Sequence, residues 1–170
     1  PISPLPAHAS GHITFASLNA FCKVSPRALD AWAAILRNTE GAKLVIHAYP
    51  GGHRQRVLDR FAAAGVDPAR IRFFDRLAFD AYLRMHHQID IALDPFAYAG
   101  GTTTLDAAYM GVPTVTLAGA APHTRGGASI LRNLGLSELI AEDAEGYIQA
   151  ATRLAADTRR LAALRGSLRG

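Results

Sequence analysis

The sequence has a single cysteine, Cys22, so no disulfide can form within the chain, which fits a reducing compartment. It lacks an apolar run close to the ~20 residues that a membrane-spanning helix needs, and it lacks a basic-then-apolar signal segment. The net charge is +4, but the arginines are scattered and not interleaved with aromatic residues, so no nucleic-acid-binding face is indicated. These absences predict a cytoplasmic protein that binds neither a membrane nor a nucleic acid.

Motifs for common cofactors and metals are also missing. No lysine follows the glycine pair at 100–101 as a Walker loop requires, and the absence of G-x-G-x-x-G disfavours a nicotinamide cofactor. The seven histidines show no ligand spacing with Cys, Asp or Glu, and no Asp-x-Asp pair is present for a divalent ion. His47, inside a strand pattern, is interpreted as a buried imidazole with satisfied hydrogen bonds. The sequence therefore predicts no cofactor and no metal site.

What the chain does contain is a regular alternation of strand and helix patterns. Its 170 residues, 49% of them apolar, are enough for one domain with a substantial core. Strand patterns cover 14–18, 42–48, 71–74, 89–93 and 112–117, and helical patterns cover 26–37, 53–64, 79–87, 102–110 and most of the chain from about 124 onward, including 137–140. The proline-rich residues 1–12 are expected to be a linker cut from a longer protein, and residues 13–170 to be the domain.

This alternation predicts an α/β fold, a Rossmann-like parallel sheet with helices on both faces. Strands such as "KLVIHA" and "VPTVTL" are apolar throughout, as a parallel sheet that is covered on both faces requires. In such sheets ligands bind at the carboxyl ends of the strands. The segment Gly100-Gly101-Thr102-Thr103-Thr104 lies between a strand end and a helix start, so it is expected at that edge.

The chemistry of this segment favours an anion. The first amides of a helix lack intrahelical partners and carry partial positive charge. Gly100 and Gly101 allow close backbone approach, and Thr102 and Thr103 add hydroxyl donors, so a phosphate or diphosphate is expected here. Asp106, one turn along on the same face, can accept hydrogen bonds from a ribose diol. The pattern thus describes a nucleotide site.

A second interpretation of the same residues needs no ligand. The spacing Thr103-x-x-Asp106 also matches a capping box, which would stabilise the helix and bind nothing. Lys23 is open to two interpretations as well. It follows the first strand, where a lysine can neutralise a leaving phosphate, but it can equally be an ordinary solvated loop lysine.

Four segments resemble a known family: "FASLNAFCKVSPRALDAWAAIL", "HHQIDIALDPFAYAGGTTTLDAAYMGVPTVTL", "TRGGASIL" and "GLSELIAEDAEGYIQAATRLAAD". In this order they are similar to the C-terminal catalytic half of the O-linked N-acetylglucosamine transferases, glycosyltransferase family 41, including its bacterial members. The resemblance runs from about residue 13 to 169. It implies the GT-B architecture, in which two Rossmann-like halves enclose a UDP-GlcNAc site.

The resemblance also implies roles for individual residues. Gly101, Thr102 and Thr103 would bind the diphosphate, and Asp106 the ribose. Lys23 would contact the diphosphate and stabilise the departing UDP. The uracil would lie against the backbone of 76–78, with Leu77 as its main contact. The donor site is further expected to include Gly100, Ala20 and Tyr82.

Some donor contacts of animal members are replaced here. Where animal members have a glutamine, this chain has Ala20, and where they have histidines it has Gly101 and Tyr82. Phe79 occupies the position of a lysine and Met85 that of an arginine. Glycine at the position of Gly101 is common in bacterial-type members. Related bacterial N-glycosyltransferases share part of the pattern and use UDP-glucose. The resemblance therefore supports UDP more firmly than it supports GlcNAc.

Taken together, these features predict the donor-binding half of an inverting, metal-independent enzyme that transfers GlcNAc from UDP-GlcNAc to Ser or Thr of proteins. The protein acceptor would bind through an N-terminal part with tetratricopeptide repeats, of which no ~34-residue repeat occurs here, so the isolated fragment is expected to be inactive. A non-catalytic domain with a degenerate UDP pocket is the alternative. A sugar-nucleotide epimerase is disfavoured, because its glutamate and histidine constellation is not evident.

Overall fold

The computed structural model of the chain describes residues 1–169, which form an α/β domain around one six-stranded sheet. All the strand pairs are parallel. The strands are β1 Thr14–Ser17, β2 Lys43–His47, β3 Ile71–Phe74, β4 Ile91–Leu93, β5 Thr114–Leu117 and β6 Ile140–Ala141. The helices are α1 Pro6–Ser10, α2 Pro26–Arg37, α3 Gly52–Ala63, α4 Phe79–Met85, α5 Thr102–Tyr109, α6 Gly126–Asn133, α7 Ala144–Ala156 and α8 Thr158–Ser167. The expected fold class is confirmed.

The order of the strands places a crevice at the centre of the sheet. The spatial order is β3-β2-β1-β4-β5-β6, so the chain runs outward in one direction from β1 and in the other direction from β4. Connections that leave neighbouring strands in opposite directions open a crevice at the carboxyl edge, where doubly wound sheets bind ligands. The loops after β1 and β4 border this point.

Both faces of the sheet are covered, as the uninterrupted apolar strands predict. On one face Phe15, Leu44 and Ile91 pack with Trp32 of α2 and Phe61 of α3, all of them buried. The opposite face is built from smaller groups, among them Ala16, Val45 and Ala92, which lie against α5 and α4. Alternate side chains of each strand thus enter different halves of the core. Within residues 1–169, no helix is both long enough and apolar enough to cross a bilayer.

One strand was not predicted. Residues 137–140 were expected to be helical, but a 3-10 turn at Ser137–Leu139 leads into the edge strand β6. The prediction was wrong because β6 has only two residues and owes its conformation to its partner: Thr116 pairs with Ile140 and Leu117 with Ala141. Such a pairing leaves no periodicity in the sequence.

The segment 1–12, expected to be a linker, is packed against the domain. Leu5 is buried, and the amide of Ala7 donates to Oδ1 of the buried Asp90 at 2.9 Å. Arg165 of α8 is 2% exposed and donates to the backbone oxygen of Ser3 at 2.8 Å. These polar contacts with distant residues hold the segment in place, and proline content alone does not reveal them.

Candidate functional site

Three loops meet at the carboxyl edge of the sheet, after β1, β4 and β5. The first contains Lys23 in a 3-10 turn at Phe21–Lys23, which leads into α2. Ser25 caps α2 by accepting from the amide of Ala28 at 3.2 Å, and its hydroxyl donates to the backbone oxygen of Phe96 in the second loop. An isolated antiparallel bridge between Val24 and Ala97 joins the same two loops. The fold therefore holds Lys23 beside the segment that leads into α5.

The amino terminus of α5 is open. Its N-cap is Gly101, which offers no side-chain cap, and the hydroxyl of Thr103 instead donates to Oδ1 of Asn19 at 2.8 Å. The capping-box alternative is thus not formed. Within residues 1–169, the amides of Gly101, Thr102 and Thr103 donate to no protein group. Adjacent unpartnered amides at a helix start form a binding site for an anion.

The two glycines before α5 serve different purposes. A Cβ on Gly100 would lie 2.8 Å from Oδ1 of Asp94 and 2.8 Å from the hydroxyl oxygens of Thr103 and Thr104, so only glycine fits there. A Cβ on Gly101 would meet no atom within 4 Å. The structure therefore requires Gly100 for packing, whereas Gly101 faces open space at the tip of α5.

Asp94 is a central residue of the site that the sequence interpretation did not single out. Its carboxylate is 1% exposed; Oδ1 accepts from the amide of Gly100 at 2.6 Å and Oδ2 from the hydroxyl of Thr116 at 2.7 Å. Burial raises the pKa of Asp94 to about 6, although its two hydrogen bonds and the charge of Lys23 act in the opposite direction. The sequence did offer one indication that Asp94 belongs to the site: it comes directly after an apolar strand and six residues before Gly100.

The backbone of Asp94 is fixed from the core. The hydroxyl of Tyr147 on α7 donates to the backbone oxygen of Asp94 at 2.9 Å and accepts from Nε1 of Trp32 at 3.1 Å. All three residues are buried. The start of the β4–α5 loop is therefore held in place by α2 and α7.

The Asp94→Asn variant should change how stability depends on pH. The pKa in the fold, about 6, lies above the usual 3.8, so the carboxyl favours folding below pH 3.8 and loses that contribution as pH rises through about 6. This difference between the two pKa values of Asp94 corresponds to about 3 kcal/mol. We expect the free energy of unfolding of the wild type, relative to Asp94→Asn, to fall by about this amount between pH 4 and 7. Denaturant titrations at several pH values measure it.

Comparing the two proteins at each pH removes the contribution of other buried groups. Burial lowers the pKa of His47 and His86, and both are present in wild type and variant alike. Asp59→Asn, which changes an exposed acid on α3, serves as the control and should leave the pH profile unchanged. Parallel curves for wild type and Asp94→Asn would contradict the prediction.

Asp106 lies one turn along α5 and is held by Tyr82 of α4. The hydroxyl of Tyr82 donates to Oδ2 of Asp106 at 3.2 Å, while Oδ1 has no protein partner within residues 1–169. Burial, with the nearby charge of Asp106, raises the pKa of Tyr82 well above its usual value. The structure thus brings Tyr82 and Asp106 together and leaves one carboxylate oxygen free to accept from a ligand.

The remaining expected contacts lie around this centre. Arg76, Leu77, Ala78, Phe79 and Tyr82 line a shallow cavity of about 600 Å³ at the end of β3, and Phe79 is 69% exposed. Ala20 is exposed in the loop that contains Lys23. Met85, in contrast, is half-buried on α4 and packs against the core cluster that contains Ala107 of α5.

Two further expectations concern the histidines. His47 was expected to be satisfied, but its Nε2 is buried without a partner, and the ring stacks on Phe74 with centroids 4.9 Å apart. The expectation was wrong for this nitrogen, although a backbone hydrogen bond with Leu18 still acts on the His47 ring and opposes the lowering of its pKa by burial. Within residues 1–169, no group of three His, Cys, Asp or Glu side chains is arranged to hold a metal ion. Metal independence stays a prediction.

Comparisons with known proteins agree on one family. A model of glycosyl transferase family 41 matches residues 4–169. The chain is 38% identical over 174 residues to the probable UDP-N-acetylglucosamine–peptide N-acetylglucosaminyltransferase SPINDLY of Oryza sativa subsp. japonica, covering 100% of the chain and 19% of the relative. The UDP-N-acetylglucosamine–peptide N-acetylglucosaminyltransferase of Caenorhabditis elegans is 31% identical over 156 residues, with 92% of the chain and 14% of the relative covered.

A solved structure shows the same fold. A mutant of the O-GlcNAc transferase from Thermobaculum terrenum superposes with a TM-score of 0.90 at 36% identity, covering 94% of this chain and 31% of that one. The chain spans about a fifth of the length of the curated relatives it matches, since 19% of the Oryza sativa protein is covered.

Proposed function

Because this chain belongs to glycosyl transferase family 41, we propose that it is the donor-binding half of an inverting, metal-independent protein O-GlcNAc-type glycosyltransferase. Its ligand would be a UDP-sugar, UDP-GlcNAc or a close relative. One observation carries the proposal: three unpartnered amides at the tip of α5 lie next to the loop of Lys23, and Asp106 presents a free carboxylate oxygen one turn along.

The order of these groups along the sheet edge matches the parts of a sugar nucleotide. The shallow cavity at 76–79 follows β3, Asp106 and Tyr82 come next, and the tip of α5 follows at β4. Base, ribose and diphosphate would occupy these positions in turn. The sugar would then lie towards the loops after β4 and β5.

The proposed mechanism is a direct displacement. The oxygen of an acceptor Ser or Thr hydroxyl attacks the anomeric carbon and releases its proton to solvent, the bond from that carbon to the diphosphate oxygen breaks, and UDP leaves with the bonding electron pair. Lys23 and the amides of Gly101 to Thr103 stabilise the negative charge that develops on the departing diphosphate. The acceptor would bind outside these 170 residues, in keeping with the small share of the relatives that the chain spans. We expect the enzyme to act in the cytoplasm.

Calorimetric titration of UDP and its 2′-deoxy analogue tests the proposal. Wild type should bind UDP and discriminate against the analogue, because Asp106 accepts from the ribose hydroxyls. Asp106→Ala should lose that discrimination and bind UDP roughly 10-fold more weakly, the effect of losing hydrogen bonds to a charged group. Asp59→Ala removes an exposed acid on α3 and serves as the control.

Other outcomes of the same titration decide against the proposal. Absence of heat at millimolar UDP would favour the alternative, a non-catalytic domain with a degenerate pocket, to which the replacements at Ala20 and Phe79 point. Titrations with GDP and ADP test whether the site prefers uracil to other bases. Tighter binding of either one would mean that the cavity at 76–79 accepts a different nucleotide.

A further inference from the structure

We propose that Tyr98 is a positioning residue that holds the ammonium group of Lys23 in place at the proposed diphosphate site. This inference rests on the proposed function, in which Lys23 contacts the diphosphate.

The side chains of three loops stack next to the tip of α5. Nζ of Lys23 lies 4.5 Å from the centroid of the Tyr98 ring, within the range of a cation–π contact. The Tyr98 ring in turn lies against the imidazole of His123, with centroids 5.4 Å apart and planes inclined by 31°. The three residues follow β1, β4 and β5 respectively, so the stack spans the crevice from one side to the other.

Backbone contacts fix the positions of the three residues. The bridge between Val24 and Ala97 places Lys23 and Tyr98, each next to a bridge residue, side by side. The amide of Ala99 donates to the backbone oxygen of His123 at 3.2 Å. The stack is therefore attached at both ends to main chain that the fold already holds. Tyr98 remains 50% exposed, which leaves room for a ligand beside it.

An aromatic ring suits this task better than a carboxylate does. A carboxylate would pair with Lys23, neutralise its charge and repel a diphosphate. The face of a ring attracts the ammonium group through its quadrupole and leaves the N–H donors free for the ligand. Asp94, the carboxylate that acts on the same site, is buried and already accepts from Gly100 and Thr116. Tyr98 can thus orient the charge of Lys23 without neutralising it.

The two lysines of the sequence, Lys23 and Lys43, make a direct test possible. After reductive methylation with ¹³C-formaldehyde, each lysine gives its own NMR signal, and Lys43 is an internal reference because it lies at the start of β2, at the opposite edge of the sheet. We expect an upfield ring-current shift of the Lys23 signal in the free chain. Tyr98→Phe should keep this shift, since the stack does not need the hydroxyl, and Tyr98→Leu should abolish it.

Titration with UDP provides the second measurement. Addition of UDP should move the Lys23 signal and not that of Lys43, and Tyr98→Leu should weaken UDP binding roughly two- to fivefold, the size of an exposed cation–π contact. Tyr109→Leu is the matched control, because it removes a cation–π contact with Arg169, 4.1 Å from the ring, away from the site. In a Lys23→Met background, Tyr98→Leu should cause no further loss of affinity.

The outcomes separate this inference from the proposed function. A Lys23 signal that is unchanged by Tyr98→Leu overturns the positioning role even when UDP binds. A further loss of affinity in the Lys23→Met background also overturns it, because Tyr98 would then act on the ligand directly. If wild type does not bind UDP, the proposed function fails, and the role of Tyr98 at that site fails with it, whatever shift the free chain shows.

Discussion

Turnover should fall by about 10²- to 10³-fold when Lys23 is replaced by alanine in the full-length enzyme, whereas UDP affinity should fall only a few-fold. The reason is that the charge on the bridging oxygen of the diphosphate grows as its bond to the sugar breaks. An ammonium group at that position therefore stabilises the transition state more than the bound donor. Steady-state kinetics, together with UDP titration of the same variant, separate the two effects.

Lys43→Ala is the matched control for this experiment. Lys43 is exposed at the start of β2, so its replacement removes the same charge from the opposite edge of the sheet. Its turnover should stay at the wild-type level. Near-normal turnover of Lys23→Ala would exclude Lys23 from the chemistry, and equal losses of turnover and UDP affinity would reduce its role to binding alone.

Arg165→Met should destabilise the domain by about 3–4 kcal/mol. The guanidinium of Arg165 donates to the backbone oxygens of Ser3, His86 and Ile89 and to the hydroxyl of Ser3, at 2.8–2.9 Å. Methionine has a similar apolar stem but no donor, so the two buried acceptors, the backbone oxygens of His86 and Ile89, would lose this partner in the interior, whereas the half-buried Ser3 can bond to water. Each such group costs about 1–3 kcal/mol. Denaturant titration measures the total.

Two further variants show whether the loss comes from these hydrogen bonds. Arg159→Met, on the exposed side of the same helix, should change stability by less than about 0.5 kcal/mol. Arg165→Lys keeps the charge but not the guanidinium geometry, so its stability should lie between wild type and Arg165→Met. Limited proteolysis should cut the segment 1–12 faster in Arg165→Met. Equal stability of the two methionine variants would contradict the prediction.

The sequence predicted most of the sheet and the start of α5 because these depend on local patterns. Apolar runs of strand length gave five of the six strands, and Ser25 with Pro26 correctly predicted the start of α2. The pattern Gly-Gly-Thr-Thr-Thr correctly predicted where α5 begins. In each case the information lies within a few consecutive residues.

The pairwise contacts within the site could not be predicted in the same way. Thr103 and Asp106 match a capping box in the sequence, yet Thr103 donates to Asn19, which is distant along the chain, and Asp106 accepts from Tyr82. Asp94 is recognisable as a residue of the site only when Gly100 and Thr116 are seen around its carboxylate. Capping-box geometry was an alternative that no local pattern could exclude.

By itself, the sequence determined the alternation of strands and helices, the covered faces of the sheet and the edge of the sheet at which Lys23 and the start of α5 lie. Periodicity and helix-start chemistry are local properties, so they can be recognised without a fold. Only the tertiary structure decided that segment 1–12 packs against Arg165, that Asp94 is buried beneath Gly100 and that the Lys23 ammonium lies on Tyr98. These contacts join residues on different strands and loops, and the free energy that selects them arises only when folding removes those groups from water together.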